Sequence, residues 1–190
     1  MPFAVHLDLD PLSAAALAPL IDAVERADPD ATTPRRARVA PHLSLAVYDR
    51  LVPAAVIVSL QRFAERQPAL AIQLASLGLF PGPPAVLFAA PVVSAELLAV
   101  HRAYHQATWA SGPRCWAHYL PEAWVPHVTI GEGMRPALVP AAIGNAIAAW
   151  QPCAAVLHRI SLVRFHPVEV LWSRGGGGGA GGGGGGGGGG

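Results

Sequence analysis

The sequence contains no lysine, so all 13 of its basic side chains are arginines. That absence removes lysyl-adenylate formation, the P-loop lysine and Schiff-base chemistry, and with them the usual ATP-dependent ligation. Charge is scarce as well. Thirteen arginines face 12 acidic residues for a formal charge of +1. A near-neutral chain lacks the broad positive field that holds long nucleic acids, which favours a small nucleotide or an RNA terminus over a long duplex. Cysteine is limited to Cys115 and Cys153. Two cysteines make no disulfide framework and the opening M-P-F-A-V-H-L-D-L-D has no secretory pattern, so the expected compartment is a reducing cytoplasm. One long stretch, Ala69 to Val93, has no charge at all. Pro81, Pro83, Pro84 and Pro91 break it, so it is not a membrane helix. Leu70, Ile72 and Leu74 alternate and Pro81-Gly82 marks a turn, which predicts two buried antiparallel strands joined at residues 80–84.

What the chain does have is a repeated pentad. Pro41 to Leu45 reads P-H-L-S-L and Pro126 to Ile130 reads P-H-V-T-I. Successive side chains of a strand point to opposite faces, so His42 shares a face with Ser44 and His127 with Thr129, while the apolar neighbours anchor each strand in a core. A proline suits a strand start, where its missing N–H costs no ladder bond. A single such motif reads most simply as a strand-start histidine satisfied by a backbone carbonyl. At this chain's residue frequencies a pair should arise by chance in on the order of one chain in ten thousand, so chance does not explain it.

The tetrads His42-Leu43-Ser44-Leu45 and His127-Val128-Thr129-Ile130 resemble the mark of the two-histidine phosphoesterase superfamily. That superfamily includes the bacterial enzymes called 2′-5′ RNA ligases and the RNA cyclic phosphodiesterases. The resemblance extends over residues 1 to about 173. It implies an α+β fold of two pseudo-symmetric lobes of antiparallel sheet, with outer helices around a central cleft. It further implies that His42 and His127 are catalytic, that Ser44 and Thr129 bind phosphate, and that no metal or other cofactor takes part. The implied reaction is opening of a 2′,3′-cyclic phosphate by water, or reversible making and breaking of a 2′-5′ linkage, in RNA or a small nucleotide. Many relatives carry a basic residue after the second motif, where this chain has Gly131, Glu132 and Gly133. That departure argues against long-RNA binding. The residues themselves suit the chemistry, because one neutral imidazole can take a proton while a charged one gives it. The alternative is a non-catalytic module of the same fold that holds a nucleotide or RNA end.

The coarse layout agrees with a duplicated domain. A strand at Phe3 to Leu9 is followed by a helix from Pro11, stopped by Pro29 and Asp30, and a loop from Pro29 to Ala40 leads to the first motif. Pro53 opens a helix to about Arg66, the long hairpin follows, and Ser94 caps a third helix from Ala95 to about Trp109. A loop with Gly112, Pro113, Pro121 and Pro126 delivers the second motif. A helix from about Ala137 to Trp150 and two closing strands, Ala154 to Phe165 and Val168 to Trp172, complete the domain, 1–174. Residues 175–190 are fifteen glycines and Ala180. With no side chains to bury, they are expected to form a disordered tail. The protein is expected to be a monomer.

Weaker candidates remain. Tyr119 and Trp124 either stack on a nucleobase or anchor the loop. Arg35, Arg36 and Arg38 precede the first motif and either reach substrate phosphates or form a solvated loop. His101 and His105 lie one helical turn apart, but without a nearby glutamate or a third ligand they read as a helix-flank pair rather than a zinc site. His6, His118, His158 and His166 carry no usable pattern.

Overall fold

The computed structural model describes residues 1–108, 114–165 and 168–175. The expectations for Trp109, Gly112, Pro113 and His166, and for the tail beyond Gly175, lie outside the described residues. Alternating and β-branched stretches form the strands β1 (Phe3–Leu9), β2 (His42–Tyr48), β3 (Leu70–Phe80), β4 (Ala85–Pro91), β5 (Val128–Met134), β6 (Cys153–Arg164) and β7 (Glu169–Gly175). They pair antiparallel in the order β1-β2-β5-β4-β3-β6-β7, with β1 also pairing with β6. The first six strands therefore close on themselves and β7 extends one edge of β6. Two strand contacts join β3, β4 and β5 to the other four strands. Strand β6 pairs with β3 through its first residues and with β1 and β7 through its later ones, while β2 and β5 meet at a single register pair, Leu43 and Val128.

The helices are α1 (Pro11–Ala16), α2 (Ala18–Ala27), α3 (Pro34–Ala37), α4 (Pro53–Arg66), α5 (Ala95–Thr108) and α6 (Val139–Ala149). Local chemistry accounts for most of their starts. Asp10 caps α1 by accepting from the Ser13 N–H at 2.7 Å, and Ser94 caps α5 by accepting from the Leu97 N–H at 3.1 Å. The single helix expected from Pro11 is in fact two, broken at Leu17. Pro19 is the reason, since it has no N–H to continue the ladder yet fits the first turn of a new helix. The loop expected before the first motif contains α3, which Thr33 caps by accepting from the Arg36 N–H while donating to Glu25.

The helices pair α2 with α6 and α4 with α5, and they cross between the halves of the sequence. Helix α2, which precedes the first motif, packs on β5 of the second. Helix α5, which precedes the second motif, bonds to β2 of the first: Tyr104 and Tyr48 share a hydroxyl bond of 2.7 Å, and His101 Nε2 lies 3.1 Å from the Leu45 carbonyl. Gly131 makes the first contact possible, because a Cβ there would lie 2.6 Å from Val24 Cγ1. Buried Asp28 at the end of α2 accepts from the Arg135 backbone N–H at 2.8 Å and from its guanidinium at 2.8 and 3.1 Å. This clamp ties α2 to the end of β5. The core lies between the sheet and these helices and includes Leu43, Leu45, Val128 and Ile130, all fully buried.

Candidate active site

The Leu43 to Val128 pair fixes the geometry of the cleft. In an antiparallel ladder centred on it, His42 stands across from Thr129 and Ser44 across from His127. Leu43 and Val128 point into the core, so all four polar side chains share the other face, and each is half-buried. Cross-strand neighbours are about 5 Å apart and same-face neighbours along a strand about 7 Å. The two imidazoles thus occupy one diagonal of a small quadrilateral and the two hydroxyls occupy the other.

Each histidine is oriented by the same device. His42 Nδ1 lies 2.8 Å from the Ala40 carbonyl and His127 Nδ1 lies 2.7 Å from the Val125 carbonyl, in both cases two residues upstream. A carbonyl only accepts, so Nδ1 carries the proton and Nε2 is the nitrogen left without one in the neutral ring. Burial lowers the pKa of both rings from the ordinary histidine value. For His42 the charge of His127 lowers it further, while the Ala40 bond and Asp8 oppose the shift. For His127 only the Val125 bond opposes burial.

The surroundings of the two rings differ. On the His42 side, β1 places Asp8 opposite His42 and His6 opposite Ser44. Asp8 is buried and accepts from Arg159 Nε at 2.9 Å and Ser161 Oγ at 2.6 Å on β6. On the His127 side stand two phenyl rings, Phe80 with its centroid 5.0 Å from the imidazole and Phe88 at 5.3 Å. Gly78 makes room for Phe88, whose ring occupies the place where a Cβ would be. One side of the cleft is polar and the other aromatic. Motif spacing marks neither His6 nor Asp8, although they alternate in β1 just as His42 and Ser44 do in β2. That alternation was the available signal.

The sequence model of the 2′-5′ RNA ligase superfamily matches residues 11–169. The chain belongs to that superfamily. No curated protein sequence matches it. Among solved structures it is similar to TT0787 of Thermus thermophilus, at 19% identity and a TM-score of 0.65 over 93% of this chain and 98% of that one. It is also similar to Escherichia coli LigT, solved with 3′-AMP, at 16% identity and a TM-score of 0.57 over 92% and 98%. LigT solved with NADP+ gives 14% and 0.55 over 91% and 95%. At these identities the likeness is one of fold. Superfamily membership supports a function of the phosphoesterase or ligase type.

Within this superfamily fold the remaining candidates separate. Tyr119, in the 3-10 turn Ala117–Tyr119, is half-buried beside Ser44 and packs on a small apolar cluster of Ala4, Val47 and Val163. Trp124 does not present its ring to the cleft. It is buried, its face stacks on His101 at 3.8 Å, and its N–H donates to the Ser44 carbonyl at 3.0 Å, so it anchors the loop beneath the motif. Arg36 donates to the Ala31 carbonyl at 2.9 Å and Arg35 pairs with Asp22 and Glu25 at 2.7 and 2.8 Å, which commits both to the fold. Arg38 ends α3 at a left-handed φ of 57°. His101, with His105 3.2 Å away, ties α5 to β2. Among the described residues no helix is long and apolar enough to cross a membrane.

Proposed function

We propose that the protein is a phosphoesterase that opens 2′,3′-cyclic phosphates of a small nucleotide or an RNA terminus in the cytoplasm, with His42 and His127 as the acid and base. The Leu43 and Val128 register, which sets His42 and His127 on one diagonal of the motif face, is the observation that carries this reading. Displacement at phosphorus brings the attacking and leaving oxygens roughly into line on opposite sides of the phosphoryl group. A phosphate centred in the quadrilateral meets one Nε2 on each side. The neutral ring takes a proton from water as its oxygen bonds to phosphorus, and the protonated ring gives its Nε2 proton to the ribose oxygen that leaves. The product is a phosphomonoester with one free ribose hydroxyl. Ser44 and Thr129, on the other diagonal, donate to the non-bridging oxygens. With a 5′-hydroxyl in place of water the same residues open the ring to a 2′-5′ linkage: the neutral ring takes the 5′-hydroxyl proton as its oxygen bonds to phosphorus, and the protonated ring gives its proton to the leaving 3′ oxygen. The phenyl rings of Phe80 and Phe88 give an apolar wall where a base would be sheltered from water. Tyr119 and Arg38 are the loop side chains left to contact substrate, and a nucleotide ligand in the LigT structures agrees with a small substrate.

The test is a screen of 2′,3′-cyclic mononucleotides, 2′-5′ dinucleotides and cyclic-phosphate RNA ends, with and without EDTA. Turnover that persists in EDTA and disappears in His42→Ala and His127→Ala supports the reading. Nucleotide binding without turnover of any diester favours the binding module instead.

A further inference from the structure

We propose that His6, outside both motifs, is a positioning residue for His42: its ring lies flat on the ring of His42 and holds it with Nε2 toward the cleft. The inference rests on the functional reading above. The two rings are 3.5 Å apart between centroids and 11° from parallel. His6 is 1% exposed and its Nε2 has no hydrogen-bond partner among the described residues. A polar nitrogen buried without a partner is destabilising, so hydrogen bonding through Nε2 does not account for an imidazole at this place. Its contacts do. Phe165 lies 6.0 Å behind it, His42 lies in front, and the ring fills the gap between them.

Burial keeps His6 itself uncharged, so it stacks on His42 in either protonation state without like-charge repulsion. It also excludes water from one face of His42, whose lowered pKa has burial as its main cause. Among the described residues, the other charged or titratable groups facing His42 are Asp8 beside it on β1, with Arg159 of β6 bonded to Asp8, and His127 on β5. Tyr119 reaches Ser44 from the loop. His127 is flanked differently, by Phe80 and Phe88 at 86° and 54°. The rings on that side are edge-on and tilted rather than flat, so face-to-face contact is particular to the His6 and His42 pair.

The experiment compares His6→Ala, His6→Phe, His42→Ala and the His6→Ala/His42→Ala double variant of the full chain. It measures kcat and KM on the best cyclic mononucleotide, and the His42 titration by 15N-1H NMR. His6→Ala is expected to lower kcat about 10- to 100-fold, the scale of a misplaced catalytic group, with KM changed less than about threefold. The His42 pKa should rise toward about 6.5 as water reaches the ring. His6→Phe should stay within about threefold of the parent. In the His42→Ala background the second change should cost less than about twofold, since His6 acts only through His42. An undiminished loss in that background, an unmoved His42 titration, or a His6→Phe variant as impaired as His6→Ala overturns the proposal. If His6→Ala does not fold, His6→Leu, which fills the volume without a flat face, takes its place for the kinetic outcomes: a lowered kcat in the parent and a loss below about twofold in the His42→Ala background support the proposal, and an unchanged kcat or an undiminished loss overturns it. Absence of turnover by the parent chain overturns the phosphoesterase reading alone, because the NMR titration still reports whether His6 governs His42.

Discussion

Each motif imidazole has one nitrogen committed to a backbone carbonyl, which in the proposed reaction leaves the other for proton transfer, and this division has consequences at the scale of single residues. Replacing His42 or His127 by alanine should cost roughly 10² to 10⁴ in kcat, the range for one positioned acid or base. The double variant should lose less than the product of the two, because the rings share one proton inventory and neither completes the transfer alone. Purely multiplicative losses in steady-state kinetics would speak for independent binding residues. Ser44→Ala and Thr129→Val should each cost less, on the order of tenfold, as neutral donors that water partly replaces. The working state holds one proton between two rings whose pKa values are both lowered from the ordinary value. Its population therefore peaks on the acid side of about 6.5. A bell-shaped kcat/KM profile centred below that pH is expected. The kcat profile should lie higher, since a bound phosphate anion favours the charged imidazole. A kcat/KM optimum above about pH 7.5 would contradict the assignment of both limbs to these histidines.

At the scale of elements, the crossing of α2 and α5 between the halves holds the two motif strands in register. Gly131 and His101 are the contacts to probe. Gly131→Ala places a methyl group against Val24 and should destabilise by roughly 1–3 kcal/mol, the usual cost of overpacking. Adding Val24→Ala should recover part of the loss, which thermal denaturation of the three variants would show. His101, buried against Trp124 and β2, has a pKa lowered to about 4 by burial first and by His105 second. Above about pH 6.5 it is neutral in both folded and unfolded chains and its contribution is intact. As the pH falls from there toward about 4, the unfolded chain binds a proton that the folded one refuses, so stability declines by up to on the order of 3 kcal/mol. Urea denaturation between about pH 7.5 and about pH 4.5 should show this decline, with a shallower slope for His101→Gln. Equal slopes would mean that His101 is solvated in the folded state.

For the whole molecule, a formal charge of +1 is too small to sustain a broad positive field for extended RNA, and Arg35 and Arg36 are engaged with the fold. Binding to single-stranded RNA should therefore weaken with salt at a slope of about 2 or less, since each neutralised phosphate contributes about 0.7. A slope of about 5 or more in a titration series would reveal an arginine surface that the charge balance hides. The cleft itself is a property of the closed sheet. Strands β3, β4 and β5 meet the other four through the pairing of β3 with β6 and the single Leu43 and Val128 register pair, and the four motif side chains share the face turned away from the core.

The strands, most helix starts and the four motif side chains were legible in the chain, because these depend on alternation, proline and capping chemistry within a few residues. Pro41 and Pro126 marked the motifs, Pro53 and Ser94 marked α4 and α5, and the strand periodicity put each histidine beside its hydroxyl. The break at Leu17 was within reach too, since Pro19 states it. The register between β2 and β5 was not. It joins residues 85 positions apart, and nothing local to either strand says that His42 faces Thr129 rather than His127. The same holds for the surroundings of the two imidazoles. His6, Asp8, Arg159 and Ser161 reach His42 only through the pairing of β1 with β2 and β6, and Phe80 and Phe88 reach His127 only through the hairpin and β5. Trp124 could be read as a base platform until α5 brought His101 against its face. Local propensity is written in neighbouring residues, whereas the environment of a side chain is set by strands and helices distant in the chain, and only their packing decides it.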